Sequence, residues 1–161
     1  MDRLAEWIEG GMTHSEFVPI DALTHPNAKA ALQFWAERPS DGIHIGRDVP
    51  SRLIARLLSH VTIYEPLPDG SDFKVHLAGS GIRHRFGRDI TGETMAEIYS
   101  PEDMPVRFKT LQEVIATGEP RMTRITHRAG KVDVLKIELL QIPVVAPNGH
   151  DRWVLTFVFY F

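Results

Sequence analysis

The last ten residues, RWVLTFVFYF at 152–161, constrain this chain more than any other segment. Successive side chains of an extended strand alternate between faces. Trp153, Leu155, Phe157, Phe159 and Phe161 therefore point one way, and Val154, Val158 and Tyr160 point the other. Apolar side chains on both faces require cover on both. The mid-chain helices can supply one cover, and the helix carrying Phe34 and Trp35, or a second copy of the chain, is the candidate for the other. Segments 121–127 and 132–143 also read as strands, with Ala129-Gly130 and Asn148-Gly149 in the hairpin connections. Three strands joined by short connections make an antiparallel meander.

Upstream the period changes. VTIYEPL from Val61 is β-branched and aromatic, a turn follows through Gly70, and FKVHLAG places Phe73, Val75 and Leu77 on one side of a second strand. Glycines at 81, 87 and 92 leave room only for short helical pieces in 80–99. A longer helix to about Thr117 buries Phe108, Leu111, Val114 and Ile115 and stops at Gly118. Before residue 60 the chain reads as helix and loop. Leu4, Trp7 and Ile8 fit one helical face, 12–26 reads as a connector, 28–37 as a helix, 40–49 as a loop, and Leu53, Ile54, Leu57 and Leu58 as the stripe of another helix. The expected division is a helical extension over 1–60 and a sheet domain over 61–161.

Composition narrows the function. Lys plus Arg number 18 against 21 Asp plus Glu, a net charge of −3, without the basic excess of a nucleic-acid-binding domain. Cysteine is absent, which removes disulfides, thiolate nucleophiles and Cys-ligated metal. Residues 1–11 lack the apolar core of a signal peptide, and no apolar run approaches the roughly 20 residues of a membrane span. A cytoplasmic domain with neither nucleic acid nor membrane as partner is expected.

The order of elements, with the words FWAERPSDG (34–42), RDVPSRLIARLLSHVTIYE (47–65), FKVHLAGSGIRHRFGRDITG (73–92) and TGEP (117–120), resembles the PAS superfamily, and within it a group of short bacterial PAS proteins of unknown signal. The most specific piece joins Gly79, Ile82, Phe86, Gly87, Arg88, Asp89, Thr91 and Gly92. Ile45 stands where that pattern leads one to expect proline. The resemblance implies an α+β fold, a five-stranded antiparallel PAS-like sheet with helices on one face and an N-terminal helical extension. It also implies a sensor or interaction domain.

No motif adds catalysis. Gly79-Ser80-Gly81 follows a strand as a dinucleotide loop would, but His84 occupies the third glycine's place and no βαβ crossover follows. The eight histidines show neither helical nor strand ligand spacing. Haem-binding PAS sensors typically carry a proximal histidine on the long helix, and 101–118 holds none. Arg83, His84, Arg85 and Arg88 form either the polar side of a short helix or an anion contact, with Arg88 and Asp89 able to hold each other. Glu102 and Asp103 sit at a helix start, where acids cap free N–H groups.

The expected function is a stand-alone sensor without its own effector or catalytic residue. The ligand-pocket candidates are Leu77, Ile82, Arg83, Phe86, Arg88, Met95, Phe108, Leu111 and Leu135; the apolar members would serve a filled core equally well. Phe34, Trp35, Val154, Val158 and Tyr160 are the candidates for a homodimer or signalling-partner interface. No cofactor is named by the residues. A ligand-free interaction module and a small-molecule enzyme using His76 or Arg88 remain the alternatives.

Overall fold

The alternation read in the final strand organises the whole molecule. The computed structural model describes residues 13–161; the helix expected around Leu4, Trp7 and Ile8 lies outside them. Six strands form one antiparallel sheet: β1 (Thr13–Pro19), β2 (Val61–Pro66), β3 (Phe73–Ala78), β4 (Arg121–Ala129), β5 (Val132–Val145) and β6 (Arg152–Tyr160), in the order β1-β4-β5-β6-β2-β3. The helices are α1 (Ala28–Ala36), a 3-10 helix (Arg52–His60), α2 (Ser80–Phe86), α3 (Met95–Ile98) and α4 (Met104–Thr117).

Two expectations are corrected. The segment read as a connector contains β1, a sixth strand that pairs with β4 from Thr13 opposite Ala129 to Pro19 opposite Thr123. Residue 60 therefore does not separate sheet from extension. Strand β1 was hidden because THSEFVP lacks the clean apolar alternation of the central strands. Helices also lie on both faces of the sheet. On the back face, Ala31, Phe34 and Ile54 pack against Leu140, Ile142, Leu155 and Phe157, so of the two covers expected for that face the chain's own helix is the one that supplies it. On the front face, α2, α3 and α4 pack against Tyr64, Val75 and Val154.

A β-bulge corrects a third expectation. Register shifts between Ile63 and Tyr64, so Tyr64 opposes Val75 while Ile63 opposes Leu77. An extra residue reverses the side-chain parity beyond it. Ala78 then turns inward, and Leu77 lies 45% exposed, on the opposite face from Val75.

Local contacts account for two sequence features that looked functional or anomalous. A Cβ on Gly79 would stand 2.2 Å from the Leu58 carbonyl oxygen, and one on Gly81 would meet the His60 ring at 2.5 Å. The Gly-Ser-Gly word is thus a close approach of α2 to the 3-10 helix. At Ile45 the backbone N–H donates to the Val145 carbonyl at 3.0 Å, a bond that proline could not make.

On the back face Glu138 is fully buried. Its carboxylate accepts hydrogen bonds from Thr24 N, Thr24 Oγ1 and His25 N, each at 2.8 Å, with the Arg124 guanidinium 3.5 Å away. Burial by itself would raise its pKa; the Thr24 and His25 bonds and the Arg124 charge outweigh it and hold the group below the usual range. This carboxylate ties the loop leading to α1 onto β5. Glu138→Ala strands those donors and is expected to cost about 3 kcal/mol in urea unfolding, with Glu138→Gln losing less. A loss within about 0.5 kcal/mol, as for an ordinary surface change, would refute the anchoring role.

Candidate functional site

The back-face core is one cluster, but the front face carries two. One gathers Ile82, Phe86, Met95, Ile98, Leu111 and Val114 under the helices. The other gathers Ile125, Ile137 and Leu139 with Phe17 and Leu135 on the β1, β4 and β5 side. Val158 and Tyr160 pack against both. Between the clusters lies a cavity of about 440 Å³, within the usual size range of small-molecule sites.

Strand parity decides which residues enter it. Leu135, Ile137, Leu139 and Gln141 of β5, Thr156, Val158 and Tyr160 of β6, Thr62 and Tyr64 of β2, Ile125 and His127 of β4, and Ser15 and Phe17 of β1 all line it. Ile82, Arg85 and Phe86 of α2, Ile98 and Tyr99, and Asp103, Val106 and Arg107 around the start of α4 form the opposite wall. The lining residues His14, Glu102 and Val106 are exposed, whereas Thr62, Gln141 and Thr156 are buried. The cavity therefore has a wet rim and a covered floor.

The floor is polar. Thr62 opposes Thr156 on β6, and Thr156 opposes Gln141 on β5. The Gln141 amide donates to Thr156 Oγ1 at 3.2 Å. Buried polar side chains on an otherwise apolar parity carry a desolvation cost unless bonded. Gln141 keeps further donor and acceptor capacity beyond this one bond.

Toward the rim, Ser15 Oγ donates to Asp103 Oδ2 at 3.1 Å and lies 2.6 Å from His127 Nδ1. Because the hydroxyl proton goes to the carboxylate, Nδ1 is the donor in the second bond. The Asp103 side chain thus crosses to β1 and does not cap α4, contrary to the expected capping role. The order also differs from a hydrolytic triad, in which histidine sits between serine and carboxylate to take the hydroxyl proton. Burial, and then the positive charge of Arg107, push the His127 pKa down to about 4, with Asp103 opposing.

Two guanidiniums line the same space. Arg107 lies 4.0 Å from the centroid of the Tyr99 ring and 5.3 Å from that of Phe17. Arg85 lies 4.0 Å over Tyr160. The Tyr99 hydroxyl is 2.9 Å from that of Tyr64, whose phenol is pushed well up by burial. Among the described residues, no three His, Asp or Glu side chains gather to hold a metal.

Of the pocket candidates, Ile82, Phe86 and Leu135 line the cavity. Met95 and Leu111 are buried in the helix-side cluster, and Phe108 packs at its margin with its ring 5.6 Å from Phe73. Arg83 is exposed and Leu77 faces away. Arg88 pairs with Glu93 at 2.8 Å, not with Asp89, whose carboxylate takes the Thr91 N–H and hydroxyl. Among the interface candidates, Phe34 and Val154 are buried within this chain, Val158 and Tyr160 line the cavity, and Trp35 lies under Arg38 at 3.9 Å.

Sequence reasoning missed Ser15, Arg107, His127, Gln141 and Thr156 as a set. A signal existed for three of them. Gln141 and Thr156 interrupt an apolar parity, and Arg107 sits four residues before Leu111 on the helix's buried stripe. Ser15 and His127 come together only through the β1–β4 register, in which they are opposed.

The depressed His127 pKa sets a pH dependence. Between about 4 and the ordinary value of 6.5 the unfolded chain binds the proton and the folded chain does not, so stability rises with pH across that window. Acidification from neutral pH should therefore destabilise the protein before Glu138 begins to protonate. A His127→Gln variant should show a shallower decline, and NMR titration should place the His127 midpoint near 4. A midpoint near 6.5 would contradict the buried, hydrogen-bonded placement.

Comparison with known proteins rests on one finding. A family model described as a PAS domain matches residues 23–158, a span that takes in α1, the 3-10 helix, β2 to β5, most of β6 and the helices α2–α4, but not β1. No match was found among curated proteins or among solved structures. With the matched span covering most of the sequence, the chain belongs to the PAS-domain family.

Proposed function

We propose that this protein is a sensor that works by binding a small molecule in the cavity between the front face of the sheet and helices α2–α4. Membership of the PAS-domain family makes it a sensory or interaction module. The observation carrying the finer reading is the cavity itself, apolar along its walls and furnished with polar groups at both ends. A filled front face would have favoured a ligand-free interaction module, because its side chains would then do no more than pack.

The reading assigns this chain a binding role and no reaction. His76, considered with Arg88 for an enzyme, lies 3.7 Å from Glu65 with its ring tilted against Trp153 at 4.6 Å between centroids, outside the cavity lining; Arg88 is paired with Glu93. Self-association remains part of the proposal only through the sheet edges, where Val18 and Leu77 are exposed, since Phe34 and Val154 are spent inside. A signalling partner would read the same edges or the α4 surface.

Native mass spectrometry of the protein purified from cells is expected to show a small molecule carried along. In Leu139→Trp, the indole occupies the space between the two front clusters, and the carried mass should vanish while the circular dichroism spectrum stays that of the parent. A wild-type protein of bare mass, with Leu139→Trp more stable than the parent, would point to a core awaiting filling and refute the ligand-binding reading.

A further inference from the structure

We infer that the cavity takes an amphipathic carboxylate: its head group on the guanidinium of Arg107, with Arg85 as the second cation, and its apolar body between the two front-face clusters. This rests on the ligand-binding reading above and gives it a chemical class.

The first ground is the state of the two arginines. Among the described residues neither has a carboxylate within ion-pair distance, and Arg107 Nε is buried without a hydrogen-bond acceptor. Their contacts are the aromatic faces of Tyr99, Phe17 and Tyr160. Stacking occupies the face of a guanidinium and leaves its in-plane N–H groups unspent. Those donors are spaced to grip a carboxylate two-pronged. Five other arginines are paired with carboxylates: Arg47 with Asp41 and Asp48, Arg88 with Glu93, Arg121 with Glu113, Arg124 with Glu138, and Arg128 with Glu16 and Asp133. The two that line the cavity have no such partner within the described residues.

The second ground is what surrounds them. Ile82, Phe86, Leu139 and Val158 make the walls apolar, so a wholly polar anion would be desolvated without return. Asp103 also lines the site, but its carboxylate is engaged by Ser15, and Glu102 is exposed at the rim. Two acids nearby make a dianionic head group such as phosphate less favourable than a single carboxylate. At the covered end, the Thr62, Thr156 and Gln141 row suits a hydroxyl or carbonyl at the far end of the ligand's apolar body.

Calorimetric titration with octanoate, octanamide and octylamine at neutral pH tests this, since the three differ only in the head group. Octanoate is expected to bind about tenfold or more tighter than octanamide, the measure of a charge-assisted pair, and octylamine weakest. Arg107→Met should abolish the preference for the acid, and Arg85→Met should reduce it. Arg83→Met, exposed on the same helix as Arg85, should leave it intact. If Arg107→Met does not fold, Arg107→Lys should keep the sign of the preference at a reduced size, and an unchanged preference there would count against the assignment. Octanamide binding as well as octanoate overturns the carboxylate assignment while leaving the cavity a ligand site. If none of the three binds, the assignment falls, and the mass carried by the purified protein judges the ligand-binding reading separately.

Discussion

Everything in this fold follows from the pairing of β5 with β6, which runs from Ile137 opposite Tyr160 to Val145 opposite Arg152. Once that register is fixed, parity sorts each residue of the two longest apolar segments to one face. Leu140, Ile142, Leu155 and Phe157 go to the back, and Leu139, Gln141, Thr156 and Val158 to the front. A slip of one residue would put Gln141 and Thr156 under α1 and expose the aromatic set to the cavity. The back-face residues are large and apolar, and α1 closes over them. The front-face set contains the polar row, so its two apolar clusters do not merge.

That difference has an energetic meaning. The space of about 440 Å³ opens at its rim, so it holds solvent or a ligand, and the polar groups at its floor and rim give either one hydrogen-bonding partners. An apolar molecule with polar ends would match the walls better than water does. At the edge of the helical wall α2 sits close to the 3-10 helix only because Gly79 and Gly81 carry no Cβ to meet the Leu58 carbonyl and the His60 ring.

The sequence carried the fold wherever periodicity was strong. The meander, the long helix with its Gly118 stop and the two-sided final strand were all legible because burial imposes one period on each. It failed where structure depends on pairing between distant segments. Strand β1 owes its place to β4, and nothing local in THSEFVP announces that. The bulge at Ile63/Tyr64 reversed Leu77 although Phe73 and Val75 were placed correctly. For the site, the apolar members Ile82, Phe86 and Leu135 were readable as inward-facing. The polar members were not, since Ser15 and His127 are 112 residues apart in the chain. Arg83, His84, Arg85 and Arg88 were read as one charged cluster with Arg83 and Arg88 as its pocket candidates, yet Arg85 is the one whose position on α2 brings it over Tyr160.

The rim contacts also suggest why a bound head group would be felt beyond the cavity. Asp103 at the start of α4, Ser15 on β1 and His127 on β4 form one hydrogen-bonded bridge across the edge of the site. Arg107 stands one helical turn from Asp103, and its charge already acts on His127. A carboxylate brought to Arg107 offsets that charge, which makes protonation of His127 easier and alters the balance with Asp103. Strand β1 has one strand neighbour in the sheet, whereas β5 and β6 have two. Of the two strands the bridge touches, β1 pairs only with β4, whereas β4 also pairs with β5. A carboxylate held at Arg107 as inferred would therefore stand next to a bridge of three side chains that ends on β1, one of the two edge strands of the sheet.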